Sequence, residues 1–459
     1  MISNAKIIII SDFLSKLFIF VKNFTKMRYF IRIITIITFI AIPAFLRSQS
    51  KIDISIKDHN DSVYYLLKYK SDKSYIVIDT SNVSYKKKTF ENNKKYEEGI
   101  YVIADSKVQP LFEILLGKDQ KFSINIKELM DYKTYKAKKS FETEKYFEVY
   151  SRTIHDELYI KALKNEIKAK PDNKFIIDSI SKQLAEYQES IINIDTNSFL
   201  STYVRCIKDI VIPDEIKDYK SKSNAYIIEH YFDDIPLYDI RILNSRLLKN
   251  KLDDYFNNYI YTKDADEICA NIDKIITKTY NCQDVRDYIL WYLYSKYFNP
   301  ENIKHEKVYI YLIDNYFSKM DIDNLSVDIR EQMIDRANVL REILIGNHAP
   351  NISFYDENNN HISIDSIFDA NIVLFFYKPD CQKCIKDKRI VGLIEKRRDD
   401  LKVLSIDISD ETKYEDIINK YDISTTPTIY ILDKNKKIIA KNVKAEEIEF
   451  YLIKNHRNE

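Results

Sequence analysis

Two cysteines three positions apart are the residues of this chain best suited to covalent chemistry. Cys381 and Cys384 follow the apolar run 372–377, which is typical of a strand buried on both faces. The charged pattern that comes next predicts a helix, capped by Asp380 or by Cys381 itself. A helix N-terminus lowers the pKa of a thiol and so favours the thiolate, the nucleophile of disulfide exchange. Residues i and i+3 share a helix face, so Cys384 can close a disulfide with Cys381.

Three interpretations of this pair compete. A zinc half-site would need two more ligands, but Cys206, Cys269 and Cys282 are scattered and the seven histidines show no paired spacing. A structural or inert pair is the second interpretation. A redox-active dithiol is the third, and a Cys-x-x-Cys pair between a strand and a helix favours it. Buried thiols are the default for Cys269 and Cys282, and the odd cysteine count leaves at least one thiol outside any intramolecular pair.

Further strands and helices are predicted around the dithiol. The predicted strands cover residues 401–408, 424–433 and 437–441, and the predicted helices cover 413–421 and 445–454. Pro427 lies at the start of the second of these strands. Upstream, the residues 352–364 predict a hairpin whose turn is formed by 356–360.

Four motifs in this region, taken in chain order, resemble the thioredoxin superfamily. They are Gly346-Asn-His-Ala-Pro350, the hairpin 352–364, Phe376-Tyr-Lys-Pro-Asp-Cys-Gln-Lys-Cys384 and Thr426-Pro427-Thr428. The combination is similar to the TlpA/ResA branch of envelope thiol–disulfide oxidoreductases and covers residues 344–459. The resemblance implies a thioredoxin fold for residues 346–459, with a central mixed sheet between helices.

The resemblance also implies roles for individual residues. Cys381 would attack the substrate disulfide and Cys384 would resolve the product. The Thr426–Pro427 peptide would be cis and face the dithiol, where its backbone binds the substrate chain; a trans proline at a strand start is the alternative on base rates. Asp387 matches the carboxylate position of ResA-like reductases and is a candidate proton relay to Cys384, with a solvated helix charge as the alternative.

Two departures from the family pattern concern the surroundings of the dithiol. The tryptophan that often precedes the first cysteine is absent. Phe375 stands where thioredoxin itself carries a buried acid. We therefore expect Phe375 to form part of an apolar wall behind Cys384.

The length of the chain limits the number of domains, and its net charge limits the class of partner. A chain of 459 residues is too long for one core, so two to four domains are expected. The 71 Lys and Arg residues balance 70 Asp and Glu residues, and a net charge of +1 argues against a nucleic-acid partner. We predict no cofactor and no bound metal.

Residues 1–50 are predicted to be targeting material. Residues 27–32 are basic, residues 33–45 are apolar, and Ser48-Gln-Ser50 offers small residues for cleavage. Met27 is a candidate for the true start of translation. This pattern predicts a signal peptide, a mature N-terminus near Lys51 and export to the periplasm or cell envelope. An uncleaved membrane anchor is the alternative, and we expect contact with a membrane only in that case.

Two modules are predicted between the targeting segment and the redox domain. Short alternating runs in 51–127 predict a β-sandwich and resemble a small domain of unknown function found ahead of envelope thioredoxin domains. Apolar spacing of three and four predicts an all-helical domain over 128–345, and 230–241 and 247–255 resemble a helical domain of unknown function that precedes such redox domains. The fold class is then multidomain α+β, with a flexible joint near Asn347.

The function predicted from these features is that of an exported thiol–disulfide oxidoreductase. It would act on protein disulfides through Cys381 and Cys384, and an upstream envelope redox partner would restore its dithiol. The direction of electron flow is not encoded, although the family resemblance favours reduction. The alternative is a binding or scaffold protein of the envelope whose thioredoxin-like domain is redox-inactive.

Overall fold

The computed structural model describes residues 48–59, 61–71, 74–82, 87–168, 170–355 and 360–456. Met27, most of the predicted signal peptide and the tip of the predicted hairpin at 356–359 lie outside these residues. The chain divides into two compact units, Met1–Asp209 with Arg241–Lys249 and Ile210–Ile240 with Asn250–Glu459. The boundaries of the three predicted modules stay predictions, because compactness does not test which segment folds alone.

Two four-stranded sheets form the strand part of the first unit, among its described residues. Their strands are β1 Ser50–Ile56, β2 Tyr65–Ser71, β3 Ser74–Thr80, β4 Lys88–Asn92, β5 Gly99–Ala104, β6 Pro110–Leu116, β7 Lys121–Ile126 and β8 Lys136–Lys138. In the sheet β4-β1-β7-β8, strand β1 is antiparallel to β4 and parallel to β7. The sheet β3-β2-β5-β6 is antiparallel throughout.

Both sheets contribute buried apolar residues to one large hydrophobic cluster. Ile52 and Ile54 of β1 are fully buried, whereas Lys51 is exposed, as the alternation along a strand requires. Leu66 of β2 and Ile114 of β6 lie in the same cluster as the β1 residues. Strands are therefore present where the alternating runs predicted them, and β6 adds one that the sequence pattern did not indicate.

Strand β8 corrects the prediction that all of residues 128–345 are helical. It pairs antiparallel with β7, with Ala137 opposite Ile124. The strand has three residues, of which Ala137 alone is buried, and so short a run is not recognisable as a strand in the sequence. The pairing is decided by tertiary contacts, which commonly override a weak local preference.

Three helices pack onto the sheets of the first unit. They are α1 Phe141–Glu166, α2 Asn173–Ile192 and α3 Phe199–Ile207. Helix α1 begins at Ser140, whose hydroxyl accepts a hydrogen bond from the N–H of Thr143. Tyr146 and Phe147 of α1 join the hydrophobic cluster of the two sheets. Part of the predicted helical module thus shares its core with the strands.

The second unit begins with a further group of helices. They are α4 Asp214–Lys217, α5 Lys220–His230, α6 Leu247–Asp254, α7 Ala265–Thr277, α8 Gln283–Tyr297, α9 Glu306–Leu312 and α10 Val327–Glu342. The first three residues of α6, 247–249, are assigned to the first unit, and the rest of the helix belongs to the second. Val285, Ile289 and Leu293 of α8 are fully buried at a spacing of four, which confirms the helical prediction there. Within the described ranges, no helix is long and apolar enough to cross a membrane.

A mixed four-stranded sheet follows in the same unit, as predicted. Its elements and the preceding hairpin are β9 Ser353–Tyr355, β10 His361–Ser363, β11 Asn371–Tyr377, α11 Gln382–Glu395, β12 Leu401–Asp407, α12 Glu415–Lys420, β13 Thr428–Leu432, β14 Ile438–Lys441 and α13 Ile448–His456. The strand order is β12-β11-β13-β14, with β11 parallel to β12 and antiparallel to β13. All seven residues of β11 are buried, as its uninterrupted apolar run predicted.

The predicted flexible joint near Asn347 was wrong, because this segment pairs with the edge of the sheet. The N–H of Gly346 donates to the carbonyl of Ile438 at 2.8 Å, and the N–H of Ile438 donates to the carbonyl of Asn347 at 2.9 Å. A third bond joins the N–H of Ala349 to the carbonyl of Lys436 at 2.8 Å. The outer edge of β14 carries backbone N–H and C=O groups that no other strand of its sheet binds. The segment that follows α10 forms hydrogen bonds with them.

Candidate functional site

The dithiol lies where the buried strand β11 gives way to helix α11. The strand ends at Tyr377, and Lys378-Pro379-Asp380 turns the chain toward the helix. Of the two predicted caps, Cys381 is the one observed: its Sγ accepts a hydrogen bond from the N–H of Cys384 at 3.1 Å. The sulfur of Cys381 is therefore placed at the positive end of the helix, where a thiolate is stabilised.

The two cysteines form a disulfide and differ in exposure. Cys381 and Cys384 are bonded to each other, with Cα atoms 5.1 Å apart. Cys381 is half-buried, whereas only 1% of Cys384 is exposed. A reagent that arrives from solvent would reach the sulfur of Cys381 first.

The Thr426–Pro427 peptide faces the dithiol and is cis, as the family resemblance implied. The carbonyl oxygen of Thr426 lies 3.6 Å from the Sγ of Cys381. The antiparallel register of β11 and β13 places Thr428 opposite Phe376 and so brings this loop beside the end of β11. The hydroxyl of Thr428 donates to the carbonyl of Thr425 at 2.6 Å, which orders the turn that precedes β13.

An apolar wall stands behind the inner sulfur. Phe375, Tyr377, Cys384, Val391 and Ile394 belong to one hydrophobic cluster. The rings of Phe375 and Tyr377 are stacked with centroids 5.6 Å apart. The expectation for Phe375 is confirmed, and the side chain at this position offers no proton acceptor.

Asp387 lies inside the protein, one helical turn after Cys384. Only 3% of the residue is exposed, so the alternative of a solvated helix charge was wrong. A carboxylate is seldom buried to this extent unless it is paired or has a chemical role. Its role as a proton relay remains a hypothesis.

Two cavities flank the disulfide. One of about 600 Å³ is lined by Lys378, Glu411, Asn419, Thr425 and Thr426 among others, next to the cis peptide. The ion pair of Lys378 and Glu411 raises the pKa of the lysine and lowers the pKa of the glutamate, chiefly through their hydrogen bond. Sequence reasoning missed Glu411, because it is 33 residues from Lys378 and no local pattern connects the two.

The second cavity, of about 400 Å³, opens beside Cys384. Pro379, Ile385 and Arg389 contribute to its lining, together with Lys388. The Nζ of Lys388 lies 3.0 Å from the phenolic oxygen of Tyr377 and 4.3 Å from the centre of that ring. This lysine was also missed by sequence reasoning, since one charge among many on α11 carries no signal.

The other cysteines are buried thiols, as predicted for Cys269 and Cys282. All three, Cys206 included, lie in the interior. Burial raises the pKa of Cys269 to about 12, so this thiol is inert at neutral pH. In the part of the chain that the structure describes, no group of three or more His, Cys, Asp or Glu side chains is arranged to hold a metal ion.

A family model matches the middle of the chain. It is described as a Domain of unknown function (DUF5106), and it covers residues 179–339. The match spans the helices from α2 to α10, and its description assigns no activity. No curated protein matches the chain.

Solved structures resemble parts of the chain. A thioredoxin-like protein from Bacteroides caccae is 19% identical, with a TM-score of 0.44, and covers 53% of this chain and 96% of its own. The thioredoxin domain of a thiol-disulfide oxidoreductase from Bacteroides vulgatus is 18% identical, with a TM-score of 0.22, and covers 24% of this chain and 96% of its own. Similarities of this size establish no activity, so the chemistry has to be derived from the residues themselves.

Proposed function

We propose that the chain is an exported thiol–disulfide oxidoreductase that acts on protein disulfides, in the direction of reduction. The observation that carries the proposal is the position of Cys381. Its Sγ caps a helix, is half-buried, and lies 3.6 Å from the carbonyl oxygen of Thr426. One sulfur thus combines a stabilised thiolate with a neighbouring backbone group that a substrate chain can pair with.

In the first step, the reduced protein attacks its substrate. The thiolate of Cys381 attacks one sulfur of a substrate disulfide, that S–S bond breaks, and the second substrate sulfur leaves as a thiolate that takes a proton from water. A mixed disulfide between Cys381 and the substrate results. The polar cavity next to Thr425 and Thr426 provides room for the substrate chain during this step.

In the second step, Cys384 resolves the mixed disulfide. Its thiol loses a proton and attacks the Sγ of Cys381, the mixed disulfide breaks, and the substrate departs as its second thiol. Two electrons have then passed from the dithiol to the substrate, and the Cys381–Cys384 disulfide is left. This oxidised form is the one present in the structure. A dithiol partner in the envelope has to reduce it before the next cycle.

Asp387 is our candidate for the base in the second step. Cys384 is enclosed by apolar side chains, and burial of this kind disfavours the thiolate. Asp387 is buried on the same helix three residues later, and residues at that spacing are neighbours on a helix surface. Phe375 offers no base, and Asp387 is the titratable residue of α11 that is buried together with Cys384.

A turnover assay with trapping tests the proposal. The full chain, reduced with dithiothreitol, should cleave a fluorescent peptide disulfide, and Cys381→Ser should abolish the reaction. Cys384→Ser should instead accumulate a mixed disulfide that mass spectrometry assigns to Cys381. A wild-type chain that neither cleaves the peptide nor forms the mixed disulfide would contradict the proposal and favour the binding or scaffold alternative.

Export is a separate part of the proposal and rests on the basic and apolar pattern of residues 27–45. N-terminal sequencing of protein from the envelope fraction should give a start near Lys51. An intact Met1 or Met27 in that fraction would exclude cleavage and support a retained membrane anchor.

A further inference from the structure

Arg336 of α10 forms a salt bridge with Asp422, at the start of the loop that carries Thr426. Its Nε donates to Oδ1 of Asp422 at 3.0 Å and its Nη2 donates to Oδ2 at 2.9 Å. The side chains are 18% and 24% exposed, so this two-point pair is largely shielded from water. It joins the segment matched by the family of unknown function to the redox sheet.

The remaining donors of Arg336 are also used. Nη1 donates to the carbonyl of Phe298 at 2.9 Å, and Nη2 donates to Oδ1 of Asn299 at 3.1 Å. The guanidinium lies 3.9 Å from the centre of the Phe298 ring and 5.1 Å from that of Tyr309. The planar group is therefore held in one orientation, which a lysine could not reproduce.

Asp422 lies two residues after the end of α12, where the chain turns back. Its φ of 45° lies in the left-handed region, and the next residue, Ile423, donates its N–H to the carbonyl of Ile418 at 3.0 Å. Thr426 follows four residues after Asp422. A displacement of Asp422 would consequently be transmitted along a very short stretch of chain.

The loop between Asp422 and Thr428 is fixed at both ends. At its downstream end, Thr428 pairs with Phe376 in the sheet. At its upstream end, Tyr421 donates its hydroxyl to the carbonyl of Pro350 at 2.6 Å, and Arg336 holds Asp422. The carbonyl of Thr426, next to the sulfur of Cys381, lies between these two anchors.

We propose that Arg336 is a positioning residue for substrate binding, through which the helical segment sets the geometry of the 423–427 loop. This inference rests on the proposed function and goes beyond it by giving the helical segment a role. Arg336 touches neither sulfur, so its loss should weaken substrate docking and leave the chemistry of the dithiol unchanged. The effect should be seen in KM rather than in the reduction potential.

A pair of matched substitutions on α10 tests the inference in the full chain. Arg336→Gln removes the salt bridge to Asp422. Arg341→Gln removes a more exposed pair with Asp314, in which Nη2 alone donates to both carboxylate oxygens at 2.9 and 2.8 Å. We expect Arg336→Gln to raise KM for a peptide disulfide about ten-fold, because small displacements of a docking site are costly. Arg341→Gln should leave KM unchanged, and neither should alter the reduction potential against glutathione.

Amide hydrogen exchange measures the loop without turnover. Residues 423–428 should exchange faster in Arg336→Gln and in Asp422→Asn, but not in Arg341→Gln. Arg336→Lys keeps the positive charge but loses the planar guanidinium with its two parallel donors. It should resemble Arg336→Gln in KM and in loop exchange, and it replaces Arg336→Gln in the test if that variant does not fold. Unchanged KM and unchanged loop exchange in folded Arg336 variants would overturn the inference.

The two proposals fail in different ways. If the wild-type chain does not turn over a peptide disulfide, the proposed function is wrong, and loop exchange alone decides whether Arg336 positions the loop. If the wild-type chain turns over and Arg336→Lys and Arg336→Gln match it in KM and exchange, the oxidoreductase stands and the positioning role is wrong. An Arg336→Gln effect on the reduction potential as large as that on KM would also contradict a role confined to docking.

Discussion

Glu306 and Lys441 form an ion pair in which Oε2 and Nζ lie 2.5 Å apart and the side chains are only 7% and 1% exposed. Glu306 is the first residue of α9, and Lys441 is the last residue of β14. Burial raises the pKa of Glu306 and lowers the pKa of Lys441, because a low-dielectric environment disfavours each charge. Their mutual attraction offsets this cost only while both partners are present.

Single substitutions of the pair should therefore lower the free energy of unfolding more than the double substitution does. Glu306→Gln or Lys441→Met should each lower the free energy of unfolding by about 3–5 kcal/mol, because one buried charge loses its partner. The double variant Glu306→Leu/Lys441→Met should recover most or all of the loss. Urea unfolding of the full chain measures these changes, and a double variant whose loss equals the sum of the single losses would contradict the interpretation.

The dithiol half of the site could be predicted from the sequence because everything that determines it is local. The apolar run of β11, the turn and the Cys-x-x-Cys spacing fall within one short stretch, and each follows from strand burial or helix capping. The loop at Thr426 is 45 residues from Cys381, and only the family resemblance connected the two. Proline at a strand start does not by itself reveal what it faces.

The contacts between the helices and the C-terminal sheet β12-β11-β13-β14 could not be predicted. Arg336 and Asp422 are 86 residues apart, and a charged residue on a helix gives no sign of a partner on another element. The same limitation led to the wrong prediction of a flexible joint near Asn347, where backbone groups of an edge strand decide the pairing. Helix α11 contains several charged residues, and the sequence alone does not show that Asp387 is the one that is buried.

His305 gives the stability of the protein a defined dependence on pH. Only 3% of it is exposed, and burial lowers the pKa of its imidazole. The unfolded chain then binds a proton at a higher pH than the folded chain, so this residue costs stability as the pH falls below about 6.5. We expect wild type to lose more stability than His305→Gln between about pH 7.5 and pH 5.5.

A matched substitution isolates this effect from other titrating groups. His361 is exposed on β10, and His361→Gln is the matched control for replacing a histidine by glutamine. Glu306 has a raised pKa and therefore adds stability as the pH falls, which opposes the effect of His305. The informative quantity is therefore the difference in stability between wild type and His305→Gln at each pH. Thermal unfolding at a series of pH values measures this difference. If the stability of wild type and of His305→Gln changes equally with pH, His305 does not titrate as inferred.

The sulfurs of Cys381 and Cys384 should differ in reactivity in the reduced protein. Cys381 is half-buried at the helix start, whereas Cys384 is one turn further along and 1% exposed. The dipole effect decreases within the first turn and burial raises the pKa of a thiol, so both effects make Cys381 the better nucleophile. Iodoacetamide should label Cys381 well before Cys384, as followed by peptide mass spectrometry.

The remaining cysteines supply the internal reference for that measurement. Cys206, Cys269 and Cys282 are buried and should stay unlabelled while the protein is folded. Equal rates at Cys381 and Cys384, or faster labelling of Cys384, would contradict the proposed assignment of nucleophile and resolving thiol.

The last prediction concerns the proton on Cys384. If buried Asp387 accepts it, Asp387→Asn should slow release of the mixed disulfide about 10²-fold, the scale typical of a lost general base. Labelling of Cys381 by iodoacetamide should hardly change, because that sulfur is stabilised by the helix start. The defect should shrink as the pH rises, since hydroxide then removes the proton without help. Rapid quenching of single-turnover reactions with a peptide disulfide gives the release rate.

Asp380 provides the matched control for this experiment. It is also an aspartate near the dithiol, but it is exposed in the turn before Cys381. Asp380→Asn should release the mixed disulfide at the wild-type rate, because an exposed carboxylate before the helix cannot serve a sulfur enclosed behind it. A similar slowing in both variants would point to a general charge effect on α11. Unimpaired release in Asp387→Asn would remove Asp387 from the mechanism and leave water as the proton acceptor.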